Sequence, residues 1–374
     1  MVDFQISKTS SLPLHVQLLD ELRHRIMTGV FKPHDRVPGE WELVEGLGIS
    51  RATVQKAWQI AQEEGLLYRI PGKGTYIADR RDSENTRVAV GFMIPEYRSI
   101  FAMQMLSGAE RVLRKHHCQL VFAHTDRHLD EEDRLLHKMS SDGVKGVILV
   151  PTRSSTADRA LARLEGKTPI VLMDRPVNDL KLPCVMSNNY AGGGDAVRHL
   201  LEQGHRRILF LARPHLDLHP VAERFRAYTD CLQAANITPL PPLLLGASTE
   251  MSSYEAYMQD DQSELEPLTD MLARRDRPTA IFAVNDWMAL KALRAAARVG
   301  LDVPRDLSIV GFDNLEITEY STPPLTTVAQ DGALMGAEAA RRMLALLDGE
   351  SKGEIITLLP TTLIVRASTR QIEE

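Results

Sequence analysis

At 374 residues the chain is longer than one hydrophobic core usually organises, so two or more domains are expected. Its 44% hydrophobic and 25% charged residues are ordinary for a globular protein and exclude disordered, collagen-like and membrane classes; no apolar run approaches the roughly 18 residues that a membrane helix needs. Net charge is −6, yet the first 80 residues carry ten basic and ten acidic side chains, so the whole deficit lies beyond them and any nucleic-acid contact there depends on where charges sit, not on their sum.

The start, Met1-Val-Asp-Phe-Gln-Ile-Ser7, lacks the basic-then-apolar pattern of a secretion signal, and a cytoplasmic protein is the expectation. The cysteines, Cys118, Cys184 and Cys231, are isolated and odd in number, and read as small buried apolar residues. His116-His117-Cys118 suggests a metal cluster only superficially, because adjacent side chains point different ways; no metal site and no cofactor are expected.

In chain order, residues 14 to 28 place Leu19, Leu22 and Ile26 on one helical stripe, stopped by Gly29. Pro38-Gly39-Glu40 opens a short helix carrying Leu43 and Leu47. Gly48-Ile49 makes a tight turn, and Ser50 is a natural N-cap for a third helix whose Val54, Ala57 and Ala61 face inward. Two short helices around a glycine turn form a helix-turn-helix. Residues 66 to 77 then read as two strands around the tip Pro71-Gly72-Lys73-Gly74, a hairpin wing. A helix-turn-helix pattern alone is more often ordinary helical core. Here Arg51, Gln55 and Gln59 occupy the face opposite the apolar stripe, and Lys73 sits between two glycines, which favours DNA.

The runs Pro13-Leu-His-Val-Gln-Leu18, Leu22 to Gly29, Pro38-Gly-Glu-Trp-Glu-Leu43, Ile49-Ser-Arg-Ala-Thr-Val54 and Gly65 to Ile77 resemble the GntR winged helix over roughly 65 residues. Two positions depart from that family: Gly39 stands where a Ser cap is common, and Trp41 where many members carry a DNA-touching Arg. The operator-binding set is Arg36, Glu40, Ser50, Arg51, Thr53, Gln55, Lys56, Gly72, Lys73 and Gly74. Arg51 at the start of the third helix can reach guanine O6 and N7, with Thr53 and Gln55 a step along, and the wing glycines allow close backbone approach to a phosphate or the minor groove. Arg36 reads equally as a phosphate clamp or a solvated surface residue.

Residues 79 to 86 are polar without periodicity and read as a linker. Beyond them strands at 88–94, 119–123, 146–150 and 169–173 alternate with helices at 101–116 and 130–141. A second set follows: helices at 190–203, 220–235 and 286–299 with strands at 207–212, 279–284 and 307–312. Near-continuous apolar strands spaced by amphipathic helices imply parallel sheets covered on both faces, and two such sets imply two doubly wound lobes. The fold class is α/β: a winged helix-turn-helix over 1–78, then a two-lobed domain over 87–374, with lobe 1 at about 87–186 and 331–359 and lobe 2 at about 187–330 and 360–374.

Val171-Leu-Met-Asp-Arg-Pro176, Asn188-Asn-Tyr-Ala-Gly-Gly193, Gly204-His-Arg-Arg-Ile208, Glu223-Arg224, the stretch Pro278 to Leu290, Gly300 to Pro304, Gly311-Phe-Asp313, Pro323 to Val328 and Val365-Arg-Ala-Ser368 resemble the LacI/GalR effector domain, which shares the fold of periplasmic sugar-binding proteins. Asn188 replaces the family's usual Asp, and Lys291 a frequent Gly, with neither expected to touch ligand. The resemblance implies a cleft between lobes holding Asp174, Arg224, Asn285, Asp313 and Gln330, with Arg98, Phe101 and Trp287 as further walls or stacking faces. Carboxylates, amides and a guanidinium suit a polyol, although Asp313 could equally brace a turn. A GntR winged helix on such a domain is the arrangement of AraR-type arabinose repressors, so a homodimeric, effector-controlled repressor of operator DNA is expected. The effector is read as a sugar, with a nucleoside as the alternative. An enzyme is disfavoured: there is no Gly-x-Ser-x-Gly elbow, phosphate loop or His-Glu-x-x-His, and the residues after the linker are too few for a pyridoxal-phosphate aminotransferase domain. A transport binding protein would carry a signal peptide and no winged helix.

Overall fold

The computed structural model describes residues 4–7, 10, 12–78, 88–153, 161, 168–177, 180–246, 262–350 and 355–372, so the expected linker and most of the 246–264 loop lie outside it. Two compact units divide at residue 87.

In the first unit, α1 (Leu14–Met27), α2 (Glu40–Leu47) and α3 (Arg51–Glu63) precede an antiparallel hairpin of β1 (Leu67–Ile70) and β2 (Gly74–Ile77), with Leu67 opposite Ile77. Gly48 takes the left-handed conformation, φ 62°, that turns α2 into α3. Ser50 Oγ accepts from the Thr53 amide at 3.1 Å, which caps α3. Gly39 has no side chain with which to cap α2. The Glu42 carboxylate supplies the other half of the box by accepting from the Gly39 amide at 2.7 Å. Leu18, Leu22, Leu43, Val54, Ala57 and Ala61 are fully buried. Ile26 and Leu47, expected inside, are half-buried and pack against this core, which also holds Trp58 and Phe4, their rings 6.3 Å apart.

The second unit holds two six-stranded sheets. The first contains β3 (Ala89–Ile94), β4 (Gln119–His124), β5 (Gly146–Leu149), β6 (Ile170–Met173), β7 (Cys184–Ser187) and β13 (Ile356–Leu359), in the order β13-β7-β6-β5-β3-β4, all parallel. The second contains β8 (Ile208–Ala212), β9 (Leu243–Leu244), β10 (Ala280–Ala283), β11 (Ser308–Asp313), β12 (Thr326–Ala329) and β14 (Thr362–Ile364), in the order β14-β12-β11-β10-β8-β9, with only β14 antiparallel. Strands β5, β6, β8 and β10 are buried at every position, as a sheet covered on both faces requires. The edge strand β4 is partly or fully exposed along its length.

The helices are α4 (Ile100–Lys115), α5 (Leu129–Ser141), α6 (Asn189–Glu202), α7 (His219–Ala234), α8 (Gln262–Leu272), α9 (Asp286–Arg298) and α10 (Gly332–Leu347). The chain passes between the sheets three times: after β7, after β12 and between β13 and β14. Helix α10 packs on α4 so closely that a Cβ at Gly108 would strike the Ala333 carbonyl, and one at Gly336 that of Met105. The sequence reading did not foresee α8, α10, β7, β9, β12, β13 or β14. Of the cysteines expected inside, only Cys184 is buried; Cys118 and Cys231 are half-buried.

Candidate functional site

The expected DNA-facing residues fall on the start of α2, the first half of α3 and the wing. Glu40, at the first position of α2, gathers two of them: Arg51 Nε lies 3.0 Å from Glu40 Oε2, and Gln55 Nε2 donates to the same oxygen at 3.0 Å. Partial burial pushes the Glu40 carboxyl up, but the bonds from Arg51 and Gln55 outweigh it and hold its pKa below the usual range. Trp41 is 65% exposed, and the Arg51 guanidinium lies 5.6 Å from the centre of its ring. The position that departs from the GntR pattern therefore borders the residue expected to read bases. Ser50 and Thr53 are engaged with each other, their hydroxyls 2.8 Å apart, which commits them to the helix start. Lys56 and Lys73 are exposed. Gly72 has φ +75° and Gly74 φ +132°. A Cβ at Gly74 would meet Arg36 Nε at 2.8 Å, so the glycine makes room for Arg36 against the wing, where the Arg36 backbone also bridges Tyr76.

In the second unit the polar residues collect at the carboxyl ends of parallel strands, where open α/β sheets bind ligands. Asp174 follows β6 and Asp313 ends β11; both hold positive φ, 66° and 111°. Such angles are costly for residues other than glycine and cluster at functional sites. Asn285 follows β10 and caps α9, its Oδ1 accepting from the Met288 amide at 3.0 Å. Gln330 follows β12 and donates to Asp313 Oδ1 at 2.6 Å. Arg224, on α7, donates to Asn189 Oδ1 at 2.9 Å and to the Val284 carbonyl at 2.7 Å; its Nη2 lies 3.9 Å from Asp313 Oδ1 and its guanidinium 3.6 Å from the centre of the Phe312 ring.

All five, with Phe101, line one cleft of about 880 Å³, part of it open to solvent. Trp287 lines an adjoining pocket that shares Phe101, Arg127, Asn285 and Asp313. Arg98 lines neither; it is exposed and its Nε donates to the Tyr97 hydroxyl at 3.1 Å. Burial pushes the Asp313 carboxyl up to about 6 against the pull of Arg224, and burial together with the Asp313 charge pushes Asp286 up to about 8. Asp286 accepts from the Leu315 amide at 2.7 Å and from the Thr327 hydroxyl at 2.6 Å, so it ties the loop after β11 to α9. The sequence reading missed Arg127, Arg175, Arg213 and His215 in the cleft. The strand-end rule would have found them: Arg175 directly follows Asp174, and Arg213 and His215 follow β8.

The chain is thus a DNA-binding transcription regulator. It matches the bacterial regulatory proteins, gntR family, over residues 14–77 and a periplasmic binding protein-like domain over residues 197–369. It is 29% identical, over 98% of its length and all of the relative's, to an arabinose metabolism transcriptional repressor of Geobacillus stearothermophilus, which carries the same arrangement. It is also 29% identical, over 87% of its length and 89% of the relative's, to the HTH-type transcriptional repressor CytR of Escherichia coli K12. A solved complex of the transcriptional regulator CelR with cellobiose matches 89% of this chain and all of its own at 26% identity and TM-score 0.64. These relatives are transcription regulators, not enzymes. Among the described residues no helix is long and apolar enough to cross a membrane.

Proposed function

We propose that the protein is a repressor whose hold on operator DNA is set by a small polyol bound between the two lobes. The observation that carries this reading is the meeting of Asp174 from one sheet with Arg224, Asn285, Asp313 and Gln330 in a single cleft. Their carboxylates, amides and guanidinium match the donor and acceptor pattern of a hydroxylated ligand. Gln330 Oε1 is buried without a hydrogen-bond partner, an acceptor suited to a hydroxyl. A ligand held by both lobes favours one relative orientation, and only that difference in affinity can shift a DNA-binding equilibrium.

Residues 1–78 bind the operator, 79–86 link, and 87–374 sense the effector. Arg51 and Gln55 read bases from the major groove, with Glu40, Ser50, Thr53 and Lys56 around them; Arg36 and Lys73, between Gly72 and Gly74, hold phosphates. The protein acts as a homodimer on a two-fold operator, because one winged helix offers too few base contacts for useful specificity. A thermal-shift screen of pentoses, hexoses, their phosphates and nucleosides, followed by operator titration with each stabilising compound, tests the reading. A stabilising compound that leaves operator affinity unchanged overturns it, and sedimentation showing a monomer with and without DNA overturns the dimer.

A further inference from the structure

We infer that Trp41 is a positioning residue for base reading: its ring holds the Arg51 guanidinium without using any of its hydrogen-bond donors, and stays beside it when DNA covers both. This rests on the reading of the α2 and α3 face as the DNA-binding surface. Glu40 and Trp41 are the first two residues of α2, and consecutive helix residues project about 100° apart, so they meet Arg51 from two directions. The Glu40 carboxylate takes Nε at 3.0 Å. The centre of the Trp41 ring lies 5.6 Å from the guanidinium, inside the roughly 6 Å over which a cation is drawn to an aromatic face.

The backbone fixes this spacing. Glu42 accepts from the Gly39 amide at 2.7 Å and closes the first turn of α2, immediately around Trp41. Gly48, at φ 62°, sets the turn into α3, and Ser50 caps α3 one residue before Arg51. The ring and the guanidinium are therefore brought together by local geometry that the two helices impose, and not by the long side chains finding each other in solvent.

The two holds on Arg51 differ in what they leave for DNA. Guanine O6 and N7 accept from the N–H groups of an arginine, and a carboxylate competes for those same donors. A ring attracts the cation through its face and consumes none of them. Trp41 can thus go on restraining Arg51 after Glu40 has let go, which keeps the ordering cost of the long side chain low at the moment of base contact. Exposure points the same way. Trp41 is 65% exposed, whereas Trp58 in the same unit is 4% exposed, so the indole of Trp41 has apolar surface that only a partner can cover. It shares its side of the unit with Arg51 and, through Glu40, with Gln55, which donates to the same carboxylate at 3.0 Å. A duplex that reaches Arg51 and Gln55 covers Trp41 as well.

The experiment selects binding sites for the full chain from a randomised duplex pool, then titrates the selected duplex and its single-base variants. The proteins compared are the wild type, Arg51→Ala, Trp41→Leu, Trp41→Phe and the double variant Trp41→Leu with Arg51→Ala, each checked for its fold by circular dichroism. At the base pair that Arg51→Ala ceases to read, Trp41→Leu should lose about two- to fivefold in discrimination, the equivalent of roughly 0.5–1 kcal/mol for an exposed ring and cation. Trp41→Phe keeps a ring face and should keep most of that discrimination. In the double variant the tryptophan change should add nothing at that pair, because the side chain it held is gone. The selected duplex should also shield from acrylamide a fluorescence component that the wild type has and Trp41→Phe lacks. If Trp41→Leu discriminates like the wild type, if its loss adds to that of Arg51→Ala, or if the duplex leaves acrylamide quenching unchanged, the inference is overturned while the DNA face stands. If the wild type enriches no sequence, or Arg51→Ala reads every base pair as the wild type does, the DNA face itself falls and the inference with it.

Discussion

The two functional regions each place an arginine beside a carboxylate, and they do so in opposite surroundings. On the winged helix, Arg51 and Glu40 are 3.0 Å apart with 56% and 24% of their side chains exposed. In the cleft, Arg224 and Asp313 are 3.9 Å apart with 6% and 15% exposed. An exposed pair contributes about 1 kcal/mol or less, so Arg51 can exchange Glu40 for a base edge or phosphate at little cost. A buried pair has given up its hydration, and removing one partner leaves a stranded charge. The proposed DNA face holds exchangeable contacts and the proposed effector cleft fixed ones, as a reader that searches sequences and a sensor that keeps its shape would each require.

The sharpest way to break that comparison is Arg224→Ala. It removes bonds to Asn189 and Val284 and the face of Phe312, and leaves Asp313 without its cation. The ligand domain should lose about 3 kcal/mol in chemical denaturation, and effector affinity should fall by about tenfold or more by calorimetry. The winged helix is a separate compact unit with its own core, so operator affinity without effector should stay within about twofold. Loss of operator binding by a folded variant would refute the separation of roles.

A second, smaller effect concerns pH. A carboxyl titrates near ~4 in an unfolded chain, whereas Asp286 is pushed up to about 8. A raised folded pKa favours the fold while the group is protonated; the contribution is complete below the unfolded value and is lost as pH rises through the folded one. The ligand domain should therefore melt at a lower temperature at about pH 9 than at about pH 6, whereas Glu40 on the other unit, held below the usual carboxylate range, should be insensitive across that window. Asp286→Asn sacrifices an acceptor, so its melting point should be lower throughout, but the slope should flatten. An unchanged slope would assign the pH dependence elsewhere.

What the sequence revealed follows the same division between local and distant causes. The winged helix was legible nearly to the residue, because caps, the Gly48 turn and the wing are encoded within a few positions of where they act. In the larger unit the recognisable motifs mark mostly braces. His205 joins β10 and β11 through Thr279 and Ser308, at 3.0 and 2.9 Å. Ser368 donates to Ile309 at 2.6 Å and accepts from the Thr326 amide at 2.8 Å. Asp286 ties the loop after β11 to α9. Arg127 and Arg213 in the cleft carry no motif, because they come together only once β4 of the first sheet and β8 of the second are in place. Helix α10 went unread for a related reason: its Gly and Ala residues pack by backbone approach to α4, which apolar periodicity does not register. The short strands β7, β12, β13 and β14 have meaning only beside partners far away in the chain.

On the DNA face, Arg51→Ala should lose discrimination at one base position, about 1–3 kcal/mol. Lys73→Ala should weaken all sequences alike and reduce the salt slope by about one. Operator affinities measured against single-base variants over a range of salt separate the two, and normal binding by both variants would show that the DNA face lies elsewhere.

The smallest expected effect tests why an acidic residue sits in that face at all. Glu40 holds Arg51 and Gln55 through one oxygen, and its own negative charge repels the phosphate backbone. If its task is to restrain these side chains until the right bases take over, Glu40→Gln removes the repulsion and loosens the restraint together. Binding to random DNA should then strengthen several-fold, operator binding should gain less, and the ratio between them should shrink. The alternative is that Glu40 itself accepts from a cytosine amino group. A glutamine can still offer its carbonyl there but not the charge, so operator binding would weaken at one G·C pair while random DNA is bound no more tightly. Competition between labelled operator and random duplex at fixed salt distinguishes these outcomes, and a weakened operator with unchanged random binding would make Glu40 a reader and not a restraint.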